Sequence, residues 1–132
     1  PVPRIERRMA QDVDLFTTIL DLAGIDPAST VPPGRVIDGK SLRPYLANPL
    51  GPDVHRYNYN EEFTDGIWTA HAIRSIRGPV YKLITRGSKH ELYRIFTDPH
   101  ETDNLLRRRL TPAGAEAYPR LLAAMNALLA TR

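Results

Sequence analysis

The chain has 132 residues, of which 42% are hydrophobic and 25% charged, and its formal net charge is +3. This length supports one compact domain with a modest core and is too short for two independent domains of ordinary size. No run approaches the roughly 20 apolar residues that a membrane-spanning helix needs. The absence of cysteine excludes disulfides, cysteine–zinc sites and a cysteine nucleophile within these residues. The densest basic run, residues 107–109, has no nucleic-acid-binding motif beside it, so we expect no nucleic-acid partner.

Residues 13–23 form the first predicted helix, with Asp12 as its N-cap and Gly24 just beyond its last turn. Apolar side chains cover an arc of roughly 180° around this helix. A surface helix of a small domain needs a narrower stripe, so the pattern predicts a covering element that the chain does not contain. The first residues hold neither an initiator methionine nor the apolar core of a signal peptide. We therefore interpret the chain as a fragment or a processed product.

A loop rich in proline and glycine follows at residues 25–35, and Asp38-Gly39 is a turn signal. Ser41 is the predicted cap of a short helical segment over residues 42–46. Residues 48–52 then contain two prolines and a glycine, which interrupt any regular structure. We place a boundary there, so that residues 1–53 and 54–132 form the two predicted parts of the chain.

From Arg56 onwards the pattern changes to a period of two, which is typical of β-strands. Four short strands are predicted, over residues 56–63, 67–77, 80–85 and 91–96. The tight turns between them predict an antiparallel meander, and such a sheet needs one covered face. The cover is an amphipathic helix that starts at Thr111-Pro112, in which Pro119 predicts a kink or a division. The predicted fold class is α+β: a four-stranded antiparallel sheet with a C-terminal helix packed on one face, preceded by a helix and a loop.

Residues 91–105 join the fourth strand to a predicted helical turn. Asp98 suits the N-cap position, and Pro99 suits the first helical position. Glu101 lies three residues after the cap, so its carboxylate is expected to reach back to the backbone N–H of Asp98. This stretch predicts a capping box rather than a pair of catalytic carboxylates.

A search for catalytic groups finds no glycine-rich phosphate loop, nucleophile elbow or metal-spaced histidine pair. His71 is the one histidine predicted inside a strand, and Arg74 follows three residues later. These two side chains can bind an anion. The alternative interpretation is that His71 is a polar residue on the uncovered face of the sheet.

Three stretches together resemble the C-terminal third of the sulfatases, which are hydrolases of the alkaline-phosphatase superfamily. Residues 14–25 resemble the family pattern v-D-l-x-P-T-l-l-x-l-a-G-i, and residues 38–46 resemble D-G-x-S-L-x-P-x-L. Residues 91–105 resemble E-L-Y-D-L-x-x-D-P-x-E-x-x-N-L, and Lys82 fits the strand that precedes this pattern. The order and the spacing agree. Thr17 and Arg94 depart from the patterns, which have proline and aspartate at these positions.

The resemblance implies a parent enzyme with a formylglycine nucleophile, made from a C/S-x-P-x-R motif, and a divalent metal ion, for which calcium is the expectation. No such motif occurs here, and no aspartate pair stands in the metal-binding context of the family. The resemblance therefore implies that residues 1–53 are the terminal helix and connecting loop of a catalytic domain that is otherwise missing, and that residues 54–132 are its small C-terminal α+β subdomain. It implies no catalytic and no metal-binding residue in this chain.

These expectations make the chain a catalytically incomplete fragment of a sulfuric ester hydrolase that shapes the substrate pocket of its parent. Its partners would be the rest of the catalytic domain and a sulfate-ester substrate, which His71 and Arg74 are candidates to contact. The isolated chain is expected to self-associate through the helix of residues 13–23. Two alternatives remain: a stand-alone basic module that binds polyanions, and a fragment of a related phosphoester or phosphonate hydrolase.

Overall fold

A computed structural model describes residues 5–62 and 72–131. The contacts between Cα atoms divide the chain into two units, residues 1–56 and residues 57–132. The first unit contains helix α1 (Asp14–Leu22), a 3-10 turn (Pro27–Thr30) and helix α2 (Arg43–Ala47). None of the described helices is long and apolar enough to cross a membrane.

Helix α1 starts differently from the prediction, and the predicted N-cap role of Asp12 is wrong. Val13 occupies the N-cap position, and no side chain caps the helix there. Asp12 contributes only its backbone carbonyl, which accepts a hydrogen bond from the N–H of Leu15. The carboxylate of Asp14, in the first turn, instead reaches back to the N–H of Gln11 at 2.7 Å.

The end of α1 agrees with the predicted glycine cap. Gly24 has a φ of 73°, which a residue with a side chain rarely adopts. The N–H of Gly24 donates to the carbonyl of Asp21, and the N–H of Ile25 donates to the carbonyl of Leu20. These two bonds form a Schellman motif, which satisfies carbonyls of the last turn that have no partner within the helix.

The second unit confirms the predicted α+β fold, with a four-stranded antiparallel sheet in the order β1-β2-β3-β4. The strands are β1 (Asn58–Glu62), β2 (Ile73–Arg77), β3 (Tyr81–Arg86) and β4 (Lys89–Arg94). A 3-10 turn (Leu105–Arg107) and helix α3 (Pro112–Leu129) follow. Residues 67–71 of the predicted second strand lie outside the described residues.

The turn between β3 and β4 is tighter than the predicted five-residue loop. Arg86 pairs with Lys89, so only Gly87 and Ser88 connect the strands. Gly87 has a φ of 58°, and a glycine with positive φ at the first central position is typical of a two-residue hairpin loop. Strand β4 therefore begins two residues earlier than predicted.

The core of the second unit forms between one face of the sheet and α3. Ile76, Leu83 and Leu92 are cross-strand neighbours and are fully buried. Leu121 and Met125 of α3 pack against them. This matches the predicted cover of one sheet face by the amphipathic helix, because the two periods, two in the strands and 3.6 in the helix, bring apolar side chains to one interface.

Helix α3 continues through Pro119 without a division. Proline removes one backbone hydrogen bond in a helix interior, but Ala117 and Leu121 on either side of Pro119 are buried. Packing of these side chains offsets the lost bond.

Candidate functional site

Of the two residues predicted to contact a sulfate group, the structure describes only one. His71 lies outside the described residues. Arg74 lies in β2, and its Nε donates to Oε1 of Glu61 in β1 at 2.8 Å. The side chain of Glu61 is 5% exposed, so the guanidinium of Arg74 already has a buried counter-charge. A sulfate group approaching Arg74 would have to compete with this carboxylate.

Arg74 belongs to a row of polar residues on the sheet face that carries the core. The row runs from Glu61 through Arg74 and Thr85 to His90, each paired with the next across the strands. Thr85 Oγ1 lies 3.5 Å from the sulfur of Met125, and His90 Nδ1 lies 2.7 Å from Oη of Tyr118. Partners from β1 and α3 therefore satisfy polar side chains at this end of the core.

In the first unit, the sequence analysis missed the central polar group, which is Asp14. Its side chain is fully buried. Besides the bond from Gln11, its Oδ1 accepts from the backbone N–H of Lys40 at 2.9 Å, and its Oδ2 lies 2.8 Å from Nε2 of His55. His55 is 4% exposed. An aspartate–histidine pair can orient a catalytic base, but this pair is shielded from solvent, so its role here is structural.

The segment 38–46 is joined to α1 along its length. The N–H of Leu42 donates to Thr18 Oγ1 at 2.9 Å, and Ser41 Oγ donates to Oδ2 of Asp21 at 2.5 Å. The bond from Ser41 and the nearby guanidinium of Arg43 lower the pKa of the Asp21 carboxyl. Two of the three stretches that resemble the sulfatases are thus parts of one hydrogen-bonded structure.

Gly39 is required where this segment approaches α1. A Cβ atom at this position would lie 2.2 Å from the backbone carbonyl oxygen of Val13. Such a distance is far below any van der Waals contact, so the Asp38-Gly39 signal reflects a close backbone approach as well as a turn.

In the third stretch, the predicted capping box of Asp98 and Glu101 is wrong. No helix begins at Pro99, and residues 101–104 have no regular secondary structure. Oδ1 of Asp98 accepts from both the N–H and the hydroxyl of Thr102, and Oδ2 accepts from the N–H of Asp103, all at 3.0 Å. The backbone bonds from Thr102 and Asp103 lower the pKa of the Asp98 carboxyl. Asp98 therefore closes a loop instead of starting a helix.

Glu101 has a partner in the sheet rather than in its own turn. Its φ is 58°, an uncommon value for a residue other than glycine. Oε1 of Glu101 accepts from Nζ of Lys82 in β3 at 2.6 Å. The long-range ion pair attaches this loop to strand β3, which the sequence analysis placed just before the third pattern.

Asn104 is a second residue whose importance the sequence analysis missed. Its Oδ1 accepts from the N–H of Leu92 and from the N–H of Leu106, and its Nδ2 donates to the carbonyl of His90. Since β4 is an edge strand, Asn104 satisfies backbone groups that have no strand partner. An asparagine before two apolar residues is an N-cap signal, and it could have been recognised.

The described residues hold no group of three or more histidine, cysteine, aspartate or glutamate side chains that could bind a metal ion.

No family model matches the sequence. No curated protein matches it either.

Solved structures do resemble the chain. It is similar to BT4656, solved in complex with its substrate D-glucosamine-2-N,6-O-disulfate, with 25% identity over 87% of this chain and a TM-score of 0.65. It is 32% identical over 89% of its length to BT1596, a 2-O GAG sulfatase, with a TM-score of 0.58. The phosphonate monoester hydrolase of Agrobacterium radiobacter has the same fold, with 22% identity over 92% of this chain and a TM-score of 0.66.

In each comparison the chain spans about a quarter of the neighbour: 23% of BT4656, 23% of BT1596 and 25% of the phosphonate monoester hydrolase. The hydrogen bonds described above give each of the three sequence patterns a structural role. The chain is therefore a sulfatase-like member of the alkaline-phosphatase superfamily.

Proposed function

We propose that this chain is the C-terminal part of a sulfuric ester hydrolase, in which it shapes the substrate pocket and supplies no reacting group. The observation that carries the proposal is the 32% identity to a 2-O GAG sulfatase over 89% of this chain and only 23% of that protein. The rest of the parent would supply the nucleophile, a formylglycine, and the divalent metal ion, for which calcium is our proposal. The domain division at residues 53 and 54 is part of the same proposal.

The first test is an aryl-sulfate hydrolysis assay of the 132-residue chain with calcium present. We expect no turnover above background. The control is an intact sulfatase that accepts aryl sulfates, which must hydrolyse the same substrate under the same conditions. Clear turnover by the isolated chain would contradict the proposal of catalytic incompleteness.

We propose that His71 and Arg74 influence substrate binding in the parent from the rim of the pocket. Because Arg74 is paired with Glu61, its contribution would be mainly to hold strand β2 in position. In the full-length enzyme, His71→Ala is expected to raise KM for sulfate esters more than it lowers kcat. If His71→Ala leaves kcat/KM unchanged for several sulfate esters, His71 has no role in substrate binding.

The apolar face of α1 is the proposed contact with the rest of the catalytic domain. Leu15, Ile19 and Leu22 are 58%, 64% and 58% exposed in this chain. Exposed apolar side chains on one helix are unfavourable in water, and their burial stabilises a folded protein by about 25 cal/mol per Å². We propose that the isolated chain covers this face by self-association. Light scattering that finds only monomer at high protein concentration would contradict this.

A phosphonate or phosphoester hydrolase is the second candidate. It is supported by the fold shared with the phosphonate monoester hydrolase, at 22% identity. The higher identity to the 2-O GAG sulfatase favours the sulfatase assignment. A comparison of sulfate, phosphate and phosphonate monoesters as substrates of the full-length parent separates the two, since each assignment predicts a different preferred ester.

A further inference from the structure

A cleft in the second unit lies at the end of β4, before the start of α3. Its volume is about 440 Å³, which is within the range of small-molecule sites. Arg94 of β4 and Arg108 and Arg109 of the following segment contribute to its lining, together with Tyr81 and Asp98. Three guanidinium groups at one cleft of this size are a feature that the proposed function does not use.

Both carboxylates that line the cleft already have partners within the protein. Asp98 accepts hydrogen bonds from Thr102 and Asp103, as described above. The carboxylate of Asp103 is paired with Arg108. In contrast, Arg94 and Arg109 form no ion pair with any residue of the described ranges 5–62 and 72–131. The cleft lining therefore has three guanidinium groups against two carboxylates, a formal excess of one positive charge, and two of the three guanidinium groups are free of ion pairs within the described ranges.

The start of α3 offers the cleft few hydrogen-bond donors. Pro112 has no N–H, and Thr111 Oγ1 already accepts from the N–H of Gly114. The guanidinium groups are the main donors, because each presents a planar set of N–H groups that matches two oxygens of one anion. Arg94 is also one of the two departures from the sulfatase patterns, which have aspartate there. An aspartate would add negative charge to the same cleft.

We propose that this cleft binds a sulfate group, with Arg94 and Arg109 as its main donors. The group is either a free sulfate ion or a sulfate carried by a saccharide. The inference rests on the charges of the cleft and stays valid if the parent enzyme hydrolyses another ester.

Isothermal titration calorimetry of the 132-residue chain tests the site at constant ionic strength. The titrants are sodium sulfate, D-glucosamine-2-N,6-O-disulfate and unsulfated glucosamine. We expect saturable binding of at least one of the first two and none of the third. Tighter binding of the sulfated sugar identifies the saccharide as the source of the group, and equal or tighter binding of sodium sulfate identifies the free ion.

Arg94→Gln and Arg109→Gln are each expected to weaken binding by about tenfold, the loss typical of one charge-assisted hydrogen bond. Arg120→Gln is the matched control, because it removes the same charge from α3 outside the cleft lining. It should leave the affinity within about twofold. Circular dichroism verifies that each variant is folded.

Absence of saturable sulfate binding would overturn the proposal. So would an equal loss of affinity in Arg94→Gln, Arg109→Gln and Arg120→Gln, because binding would then follow net charge rather than the cleft. Arg109 lies in an exposed segment, so its variant keeps the test decisive if the change at Arg94, at the end of a strand, unfolds the protein.

Discussion

The two units of this protein are stabilised in opposite ways. In residues 57–132, apolar side chains such as Leu83 and Leu121 form a buried core between a sheet and a helix. In residues 1–56, the buried side chains of α1 are polar, namely Asp14, Thr17 and Thr18, while its large apolar side chains are exposed. The second unit therefore has an apolar core of its own, whereas the first is held by hydrogen bonds and, among the described residues, α1 has an exposed apolar face.

The largest expected effect is in the core of the second unit. Leu83→Ala removes a fully buried side chain and is expected to lower the free energy of unfolding by about 2–5 kcal/mol. Urea denaturation followed by circular dichroism measures the change. Phe96→Ala is the control, because this side chain is 74% exposed and its loss should cost little. If Leu83→Ala lowers the free energy of unfolding as little as Phe96→Ala does, the second unit does not depend on this core for its stability.

The corresponding change in the first unit is His55→Ala. It leaves the buried carboxylate of Asp14 without one of its three partners, which is expected to cost about 2–3 kcal/mol of local stability. Hydrogen exchange measures this at the N–H of Lys40, which donates to the same carboxylate. His100→Ala, at an exposed position, is the control. Unchanged protection of Lys40 in His55→Ala would show that Asp14 does not depend on this pair.

The close approach of residue 39 to α1 allows a third test. Gly39→Ala places a methyl group against the carbonyl of Val13 and is expected to cost about 1–3 kcal/mol, as overpacking typically does. Hydrogen exchange at Leu42, whose N–H donates to Thr18, detects the displaced segment. If the N–H of Leu42 exchanges as slowly in Gly39→Ala as in the wild type, residues 38–46 must approach α1 less closely than the structure indicates.

The smallest expected effect concerns acid stability. The pKa of Asp98 is lower in the folded protein than in the unfolded chain because backbone N–H groups donate to its carboxylate. Its stabilising contribution is therefore complete above the pKa of an unfolded aspartate, and it is lost as the pH falls through the lower, folded-state pKa.

Asp98→Asn removes this contribution, so the difference in Tm between wild type and variant should shrink as the pH falls from 6 towards about 2. Thermal unfolding at several pH values measures it. Asp26→Asn is the comparison, because Asp26 is exposed and accepts from one backbone N–H, that of Ala28, where Asp98 accepts from two. A difference in Tm that grows on acidification would contradict the role assigned to Asp98.

Most of the fold could be predicted from local patterns. Alternating side chains after Arg56 and the stripe of α3 identified a sheet covered by a helix, because these periods directly reflect which side of an element is buried. The predictions based on local capping rules failed at Asp12, Asp98 and Glu101. They also failed at Ser41, because Leu42 occupies the N-cap position of α2. Each rule assumed a partner within four residues in the chain, and in the folded protein other bonds replace the predicted ones.

The sequence by itself determined the class of fold, the positions of the elements and the resemblance to the sulfatases. Only the tertiary structure decided what the residues of the three patterns do. Asp14 binds Lys40 and His55, and Glu101 binds Lys82. Partners 19 to 41 residues apart have no periodicity that a sequence pattern can reveal. The physical reason is that a buried or partly buried charge must find a partner wherever the folded chain brings one near.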